Sequence, residues 1–174
     1  VTCIGDPAPF SYLKTRRENS LVNKITTHVL DCRCSQYNTY EYLERGSDER
    51  QYNYPGVDLD IGSLMRSKYR EYPEYHTSKD NLNFVSEEAL EDSFEMYKRC
   101  IETFENNKIY MCTTQCEPRL SKYNLYPSRG VNKPDDHVFK MMNTLNYCDG
   151  SSDLLDIAIK IGCPIWELVN IIEI

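Results

Sequence analysis

The stretch SEEALEDSFEMYKRCIETFENN, residues 86–107, constrains the fold of this chain more than any other. Leu90, Phe94, Tyr97, Ile101 and Phe104 step by four, three, four and three, which lays one apolar stripe along a helix of 3.6-residue period. Ser86 opens the segment, and Glu87, Glu88 and Glu91 place negative charge where the helix dipole favours it. The spacing predicts a long helix ending at Asn106-Asn107, packed by its stripe on a sheet, with Met96 and Cys100 as filler beside the stripe.

The surrounding segments supply the sheet. Val1–Gly5 (VTCIG), Tyr37–Leu43, Leu59–Arg66 and Ile109–Thr113 read as strands, the first ending at Asp6. A further helix starts at the capping pair Asn19-Ser20 and repeats Leu21, Ile25 and Val29 at four-residue intervals. Strands alternating with helices imply an α/β layer. From Cys116 to Pro134 the chain turns rich in Pro, Gly and Ser and loses periodicity, as a linker does. Three short helical patterns follow, at Asp136–Tyr147, Ser152–Ile161 and Pro164–Ile174, the last two joined through Gly162-Cys163-Pro164 in a helix-turn-helix arrangement. The expected organisation is an α/β domain over residues 1–115, a linker over 116–134, and a small all-α, winged-helix-like domain over 135–174 that stops where a wing hairpin would begin.

Charge limits the partners. A net charge of −7 disfavours a general binder of nucleic acid or anionic membranes, which needs a basic face. No run approaches the ~20 apolar residues of a membrane helix. The second helix of the helix-turn-helix, PIWELVNIIEI, carries Glu167 and Glu173 and neither Lys nor Arg, so it lacks the phosphate contacts that supply most DNA affinity. Its apolar run favours packing on a neighbour, with self-association through the C-terminal helices as one outcome. The eight cysteines are scattered and no secretory leader precedes them, which favours reduced thiols and a cytoplasmic setting. Cys32-x-Cys34 and Cys112-x3-Cys116 each have half the spacing of a zinc site, with plain thiols as the default reading.

Only three histidines occur. His28 lies beside the apolar face of its helix and reads as a packed or surface residue rather than a ligand. His76 stands in the polar loop EYPEYHTSKDNL, where packing gives it no task; neutral imidazole ligates zinc, and Asp80 or Tyr75 is placed to orient its second nitrogen. Asp6, at the expected strand end, is where α/β proteins gather ligand-binding groups. One carboxylate and one imidazole make half a zinc site. On spacing alone, Asp6 opening an Asp-Pro turn and His76 lying free in solvent fit as well.

The string GSDERQYNYPGVDLDIGSLMRSKYREYPEYHTSKDNLNFV resembles the C-terminal half of a bacterial zinc-aminopeptidase-like family, in the clan of the bacterial leucyl aminopeptidases and glutamate carboxypeptidase. Ser47-Asp48, the Leu59–Arg66 segment, and Tyr75-His76-Thr77 with Asp80 follow the clan's order of Ser-Asp loop, strand and Tyr-His-Thr-x-x-Asp loop; TCIGD with the following PFSYL, and CEP-x-L before an appended winged helix, extend the likeness over nearly the whole chain. The resemblance implies part of a three-layer α/β/α zinc-exopeptidase-like sandwich with two zinc ions, Asp6 on one and His76 on the other, acting on a peptide or an amide-containing small molecule. The bridging carboxylate, a further His, a Glu ligand and the general-base Glu come from earlier strands in the clan and are absent from this sequence, so the chain reads as the C-terminal part of an enzyme, inactive alone. The alternative is a non-catalytic binding or regulatory protein that keeps the fold. The loop Asp48, Glu49, Arg50, Tyr52 lies near substrate in related enzymes but departs from the clan after Ser-Asp, which leaves the substrate open. Arg50 offers a planar fork to a carboxylate and Tyr52 a pocket wall or an oxyanion donor; an internal network that merely fixes the loop is the competing reading.

Overall fold

A computed structural model describes residues 1–123, 125 and 136–172. The chain divides into two units, Val1–Glu102 and Thr103–Ile174.

The first unit is built on a three-stranded sheet. Strand β1 (Ser11–Leu13) lies between β2 (Asn38–Tyr40), to which it is parallel, and β3 (Ser63–Met65), to which it is antiparallel. Helix α1 (Leu21–Arg33) connects β1 to β2 as a parallel crossover, and Ser20 caps it by accepting from the Asn23 amide at 3.1 Å. Buried Asn23 then pins the helix start to the sheet: its side-chain oxygen accepts from the Tyr12 hydroxyl at 2.7 Å and the Thr15 amide at 2.9 Å, and its amide donates to the Arg17 carbonyl. Tyr12 is seated so tightly that a Cβ at Gly62 would lie 2.5 Å from its hydroxyl, which is why that position carries no side chain. A short helix, α2 (Glu49–Tyr52), precedes β3, and the long helix α3 (Glu87–Asn106) follows the histidine loop.

Three sequence expectations change here. Val1–Gly5 is not a strand; Cys3 has φ +52°, which breaks an extended run, and its carbonyl takes the Arg66 amide while the Gly5 carbonyl takes the Ser86 amide. Asp6 therefore sits in the loop before β1 rather than at the carboxyl end of a strand. The strand expected over Leu59–Arg66 contracts to Ser63–Met65, because the Ile61 amide and carbonyl are taken by the Asn53 side chain. Helix α3 forms where its periodicity places it, but of the stripe it is Tyr97 that reaches the sheet, its hydroxyl donating to the Leu64 carbonyl of β3, while the other four members are exposed. Phe94 and Ile101 are 64% and 62% exposed, and Leu90 and Phe104 are also exposed. The buried residues are Ala89, Ser93, Met96 and Thr103, the small ones allowing close approach: the Arg66 Nε donates to the Ala89 carbonyl and to Ser93 Oγ.

In the second unit β4 (Ile109–Met111) pairs antiparallel with β5 (Asp149–Asp153), and α4 (Asp136–Tyr147), α5 (Leu154–Ile161) and α6 (Ile165–Ile172) pack on one another. Leu154, Leu155, Ile157, Ala158, Ile165, Leu168 and Ile171 form the buried faces of α5 and α6. Asp153 caps α5, and Gly162, at φ +79°, ends it by donating to the Ala158 carbonyl, with the Cys163 amide on the same oxygen. This is the expected helix-turn-helix. The two-stranded ladder is an addition that the helical patterns do not reveal. Of the expected linker, residue 124 and residues 126–134 lie outside the described residues, as do residues 173 and 174 of the last helical pattern.

Candidate functional site

Two polar groups of the first unit hold the residues singled out in the sequence. Asp6 is 3% exposed and firmly held. Its Oδ1 accepts from the Ala8 amide at 3.0 Å and the Ser67 hydroxyl at 2.8 Å, and its Oδ2 accepts from the Ser67 amide at 3.2 Å. The Ala8 bond is the Asp-Pro turn; the Ser67 bonds tie that turn to the residues just after β3. Arg66, next door, clamps the same loop from the other side, donating to the Ala8 carbonyl at 2.9 Å and to Asp92 at 2.6 Å while stacking over Phe10 at 4.4 Å. Neither Ser67 nor Arg66 carries a sequence signal, since their partners lie far along the chain, 61 positions away for Ser67 and 23 to 58 for Arg66.

His76 is exposed and adopts φ +57°, a left-handed conformation that side chains other than glycine enter at a cost. Tyr75 stacks on its imidazole with centroids 4.0 Å apart and 14° between planes. Tyr75 thus supports the ring by its face rather than by a hydrogen bond, and Asp80, which is exposed, makes no hydrogen bond to it among the described residues. Tyr72 continues the aromatic group, edge-on to Tyr75 at 5.6 Å and stacked on Phe84 at 5.6 Å. Its hydroxyl donates to the Cys3 sulfur at 3.4 Å; burial, then that bond, then the negative charges of Asp80 and Asp6, push its ionisation up. Tyr72 is the residue that feels both the Asp6 and the Asp80 ends of this region.

The Ser-Asp loop forms the second group. Glu49 is 1% exposed and turns inward. Its Oε1 accepts from the Tyr69 hydroxyl at 2.6 Å, the Gly46 amide at 2.8 Å and the Ser47 amide at 2.9 Å, and its Oε2 from the Ser63 hydroxyl at 2.9 Å. Burial alone would raise this carboxyl, but the Tyr69 hydroxyl and the two amides outweigh it and hold it at about 2. For Glu49 the internal-network reading is the one the geometry matches. Asp48, Glu49 and Tyr52, with Ser47, Gly62 and Tyr97 among the other walls, line a cavity of about 260 Å³. Arg50 is exposed, is not part of that lining, and forms no ion pair among the described residues. Asp6 and His76 do not line it either.

The donors in hand suit zinc in kind, a carboxylate oxygen and an imidazole nitrogen. Of the two Asp6 oxygens, Oδ2 is the less engaged. They do not make a complete shell: among the described residues no group of three His, Cys, Asp or Glu side chains is gathered to hold an ion. Among the described residues Cys32-x-Cys34 and Cys112-x3-Cys116 likewise supply no such group, and none of the eight cysteines is in a disulfide. His28 is one of the buried residues of α1, the packed one of the two expected readings, and burial is the first cause that lowers its pKa. No helix among the described residues is long and apolar enough to cross a membrane.

Residues 1–107 match the family described as "Domain of unknown function (DUF4910)", and residues 108–174 match "winged helix-turn-helix". A relative from Clostridium acetobutylicum, named "Putative polysaccharide biosynthesis protein with aminopeptidase-like domain", is 41% identical over 164 residues, which is 92% of this chain and 37% of that protein. A crystal structure of a "putative peptidase" from Clostridium acetobutylicum superposes with a TM-score of 0.85 at 38% identity over 99% of this chain and 38% of that one. The chain spans less than two fifths of the length of each of these proteins. Its fold is therefore peptidase-like, a mixed α/β unit followed by a winged helix. By the match over its first 107 residues, the chain belongs to the DUF4910 family.

Proposed function

We propose that this chain contributes part of the site of a zinc-dependent aminopeptidase or amidohydrolase, with Asp6 and His76 as ligands to the two zinc ions of that site. The observation that carries the reading is the likeness, at 38% identity, to a structure described as a "putative peptidase". The left-handed backbone of His76 supports it, since a bulky residue is kept in that conformation where its direction matters. The anchoring of Asp6 by three donors supports it too, because a ligating carboxylate is oriented by its own hydrogen bonds. Zinc, when bound, supplies hydroxide at neutral pH and polarises the carbonyl under attack. This chain's own residues hold and aim two of the donors, and its Asp48–Tyr52 loop walls a separate cavity. The remaining ligands and the general base come from polypeptide corresponding to the part of the relatives that this chain does not match. The exposed Leu90, Phe94, Ile101 and Phe104 of α3 fit that view, because exposed apolar surface marks a face that other polypeptide covers.

Arg50, exposed and without an ion pair among the described residues, is the group suited to a substrate carboxylate, and Tyr52 is a wall of the cavity beside it. The substrate class is a peptide or an amide of a small molecule. The acidic last helix makes the winged-helix unit a protein-interaction module rather than a DNA reader. A second reading, a binding protein that keeps the fold without the chemistry, takes its support from the described residues, among which no group of three potential ligands is gathered. Hydrolysis of a panel of aminoacyl amides and N-acyl sugars by the native polypeptide carrying this chain, with and without a chelator, separates the two. Chelator-sensitive turnover supports the hydrolase; binding without turnover supports the second reading.

A further inference from the structure

The second unit contains a cavity of about 340 Å³ into which three of the eight cysteines open: Cys112, Cys116 and Cys148. Two of them are cross-strand neighbours. Met111 pairs with Asp149 in the β4–β5 ladder, and continuing that antiparallel register by one step sets Cys112 opposite Cys148. The Cys112 amide donates to the Cys148 carbonyl at 2.6 Å, which fixes the two backbones in that register. Residues opposite one another in an antiparallel pair stand about 4.5–5.5 Å apart at Cα and point to the same side. That separation falls inside the roughly 4.4–6.8 Å that a disulfide spans.

We propose that Cys112 and Cys148 form a reversible disulfide site in the winged-helix unit, with a low-molecular-weight disulfide of the glutathione class as co-reactant. The two thiols differ in the way such an exchange needs. Cys112 is partly exposed, and the Thr114 hydroxyl, 3.1 Å from its sulfur, together with the Thr114 amide lowers its ionisation and makes it the attacking thiolate. Cys148 is buried, and burial first, then the neighbouring Cys112 and Asp149, keeps it protonated. In the first step the Cys112 thiolate attacks one sulfur of glutathione disulfide, forming a mixed disulfide and releasing one glutathione thiolate. In the second the Cys148 sulfur, giving its proton to solvent or to the released thiolate, displaces the other glutathione. Two protein thiols and one glutathione disulfide thus become one protein disulfide and two glutathiones. Cys116 opens into the same cavity but lies outside the ladder register, so it is not the partner.

The closed bond links the segment after β4 to the α4–β5 junction and bridges the residues between them, so oxidation tightens the ladder on which α5 begins. The test is peptide mapping by mass spectrometry of the intact chain equilibrated in glutathione buffers of graded oxidation, with C112S and C148S alongside. The expected product is a Cys112–Cys148 cross-linked peptide, reversed by reduced glutathione. C148S should instead hold a glutathione adduct at Cys112, and C112S should form no cross-link. Amide exchange in β5 should slow at least severalfold in the oxidised chain. A Cys112–Cys116 link, or no intramolecular link at glutathione ratios that modify exposed Cys32, would overturn the proposal. Should C148S fail to fold, the cross-link map of the unaltered chain still decides.

Discussion

The Tyr69 hydroxyl donates a 2.6 Å hydrogen bond to the buried carboxylate of Glu49 and with it fixes the Ser-Asp loop to the core. Tyr69 in turn packs with Leu13 and Met65 of the sheet, so the loop is held by the same cluster that holds β1 and β3 together. Gly46 lies so close to the Tyr69 ring that a Cβ there would sit 2.8 Å from it. The loop's position is thus set from within, and its outward residues, Asp48, Arg50, Gln51 and Tyr52, are exposed to meet a ligand.

Glu49 makes stability depend on pH. Its carboxyl is held at about 2, below its ordinary value of 4.5, so its contribution is complete above about 4.5 and is lost as pH falls through about 2. Replacing it with Gln removes the charge that four donors converge on, and Glu49→Gln should destabilise the chain by on the order of 2–3 kcal/mol at pH 7. Urea unfolding at a series of pH values checks this. The gap between the two chains should be constant from pH 7 to 5 and narrow below pH 4.

Arg66 organises the opposite side of the site. Arg66→Met keeps the stem but removes the donors to the Ala8 and Ala89 carbonyls and leaves Asp92 with Arg33 as its remaining cation, and should cost about 3 kcal/mol. Arg66→Lys should recover little of it, because one ammonium cannot reach all the acceptors spread around a planar fork. Chemical denaturation of the three chains gives the order directly.

Close packing and backbone conformation separate at two glycines. Gly62→Ala drives a Cβ into the Tyr12 ring and should cost about 1–3 kcal/mol by displacing Tyr12 from Asn23. At Gly56 there is open space but φ is +100°, so Gly56→Ala should cost only about 1 kcal/mol from backbone strain. Thermal unfolding of each distinguishes the two mechanisms by their size.

His76 is predicted to trade stability for function. Glycine adopts φ near +57° without the penalty a side chain incurs, so His76→Gly should raise stability by about 1 kcal/mol while removing the imidazole. His76→Ala should leave stability nearly unchanged. A His76→Gly chain less stable than the parent would mean that the stacked Tyr75–His76 pair is a structural contact first.

Local signals were readable in the sequence, and distant ones were not. Ser20 caps α1, the 86–107 periodicity gives α3, and Gly162 ends α5 in a left-handed turn, because each depends on neighbours a few residues away. The strand at Asp149–Asp153 was illegible, since DGSSD has no apolar alternation and is held in place by pairing with β4. VTCIG has the composition of a core strand, yet its carbonyls are claimed by Arg66 and Ser86 from far along the chain. The α3 stripe is the instructive case: periodicity identified the helix correctly, but the face that packs is the one with Ala89 and Ser93, chosen by the reach of Arg66. At the site, residue types pointed to Asp6 and His76, whereas Ser67, Tyr69 and Tyr72, which orient or neighbour the polar groups, act through long-range contacts that leave no local pattern.

Metal content tests the central claim most directly. Zinc per chain should be measured by elemental analysis of the native polypeptide carrying this chain, beside Asp6→Ala and His76→Ala variants whose folding is confirmed by circular dichroism. The account predicts close to two zinc ions in the unaltered protein and a loss of at least one in each variant. Full zinc content in both variants, or none in the unaltered protein after growth and purification with zinc present, would contradict it.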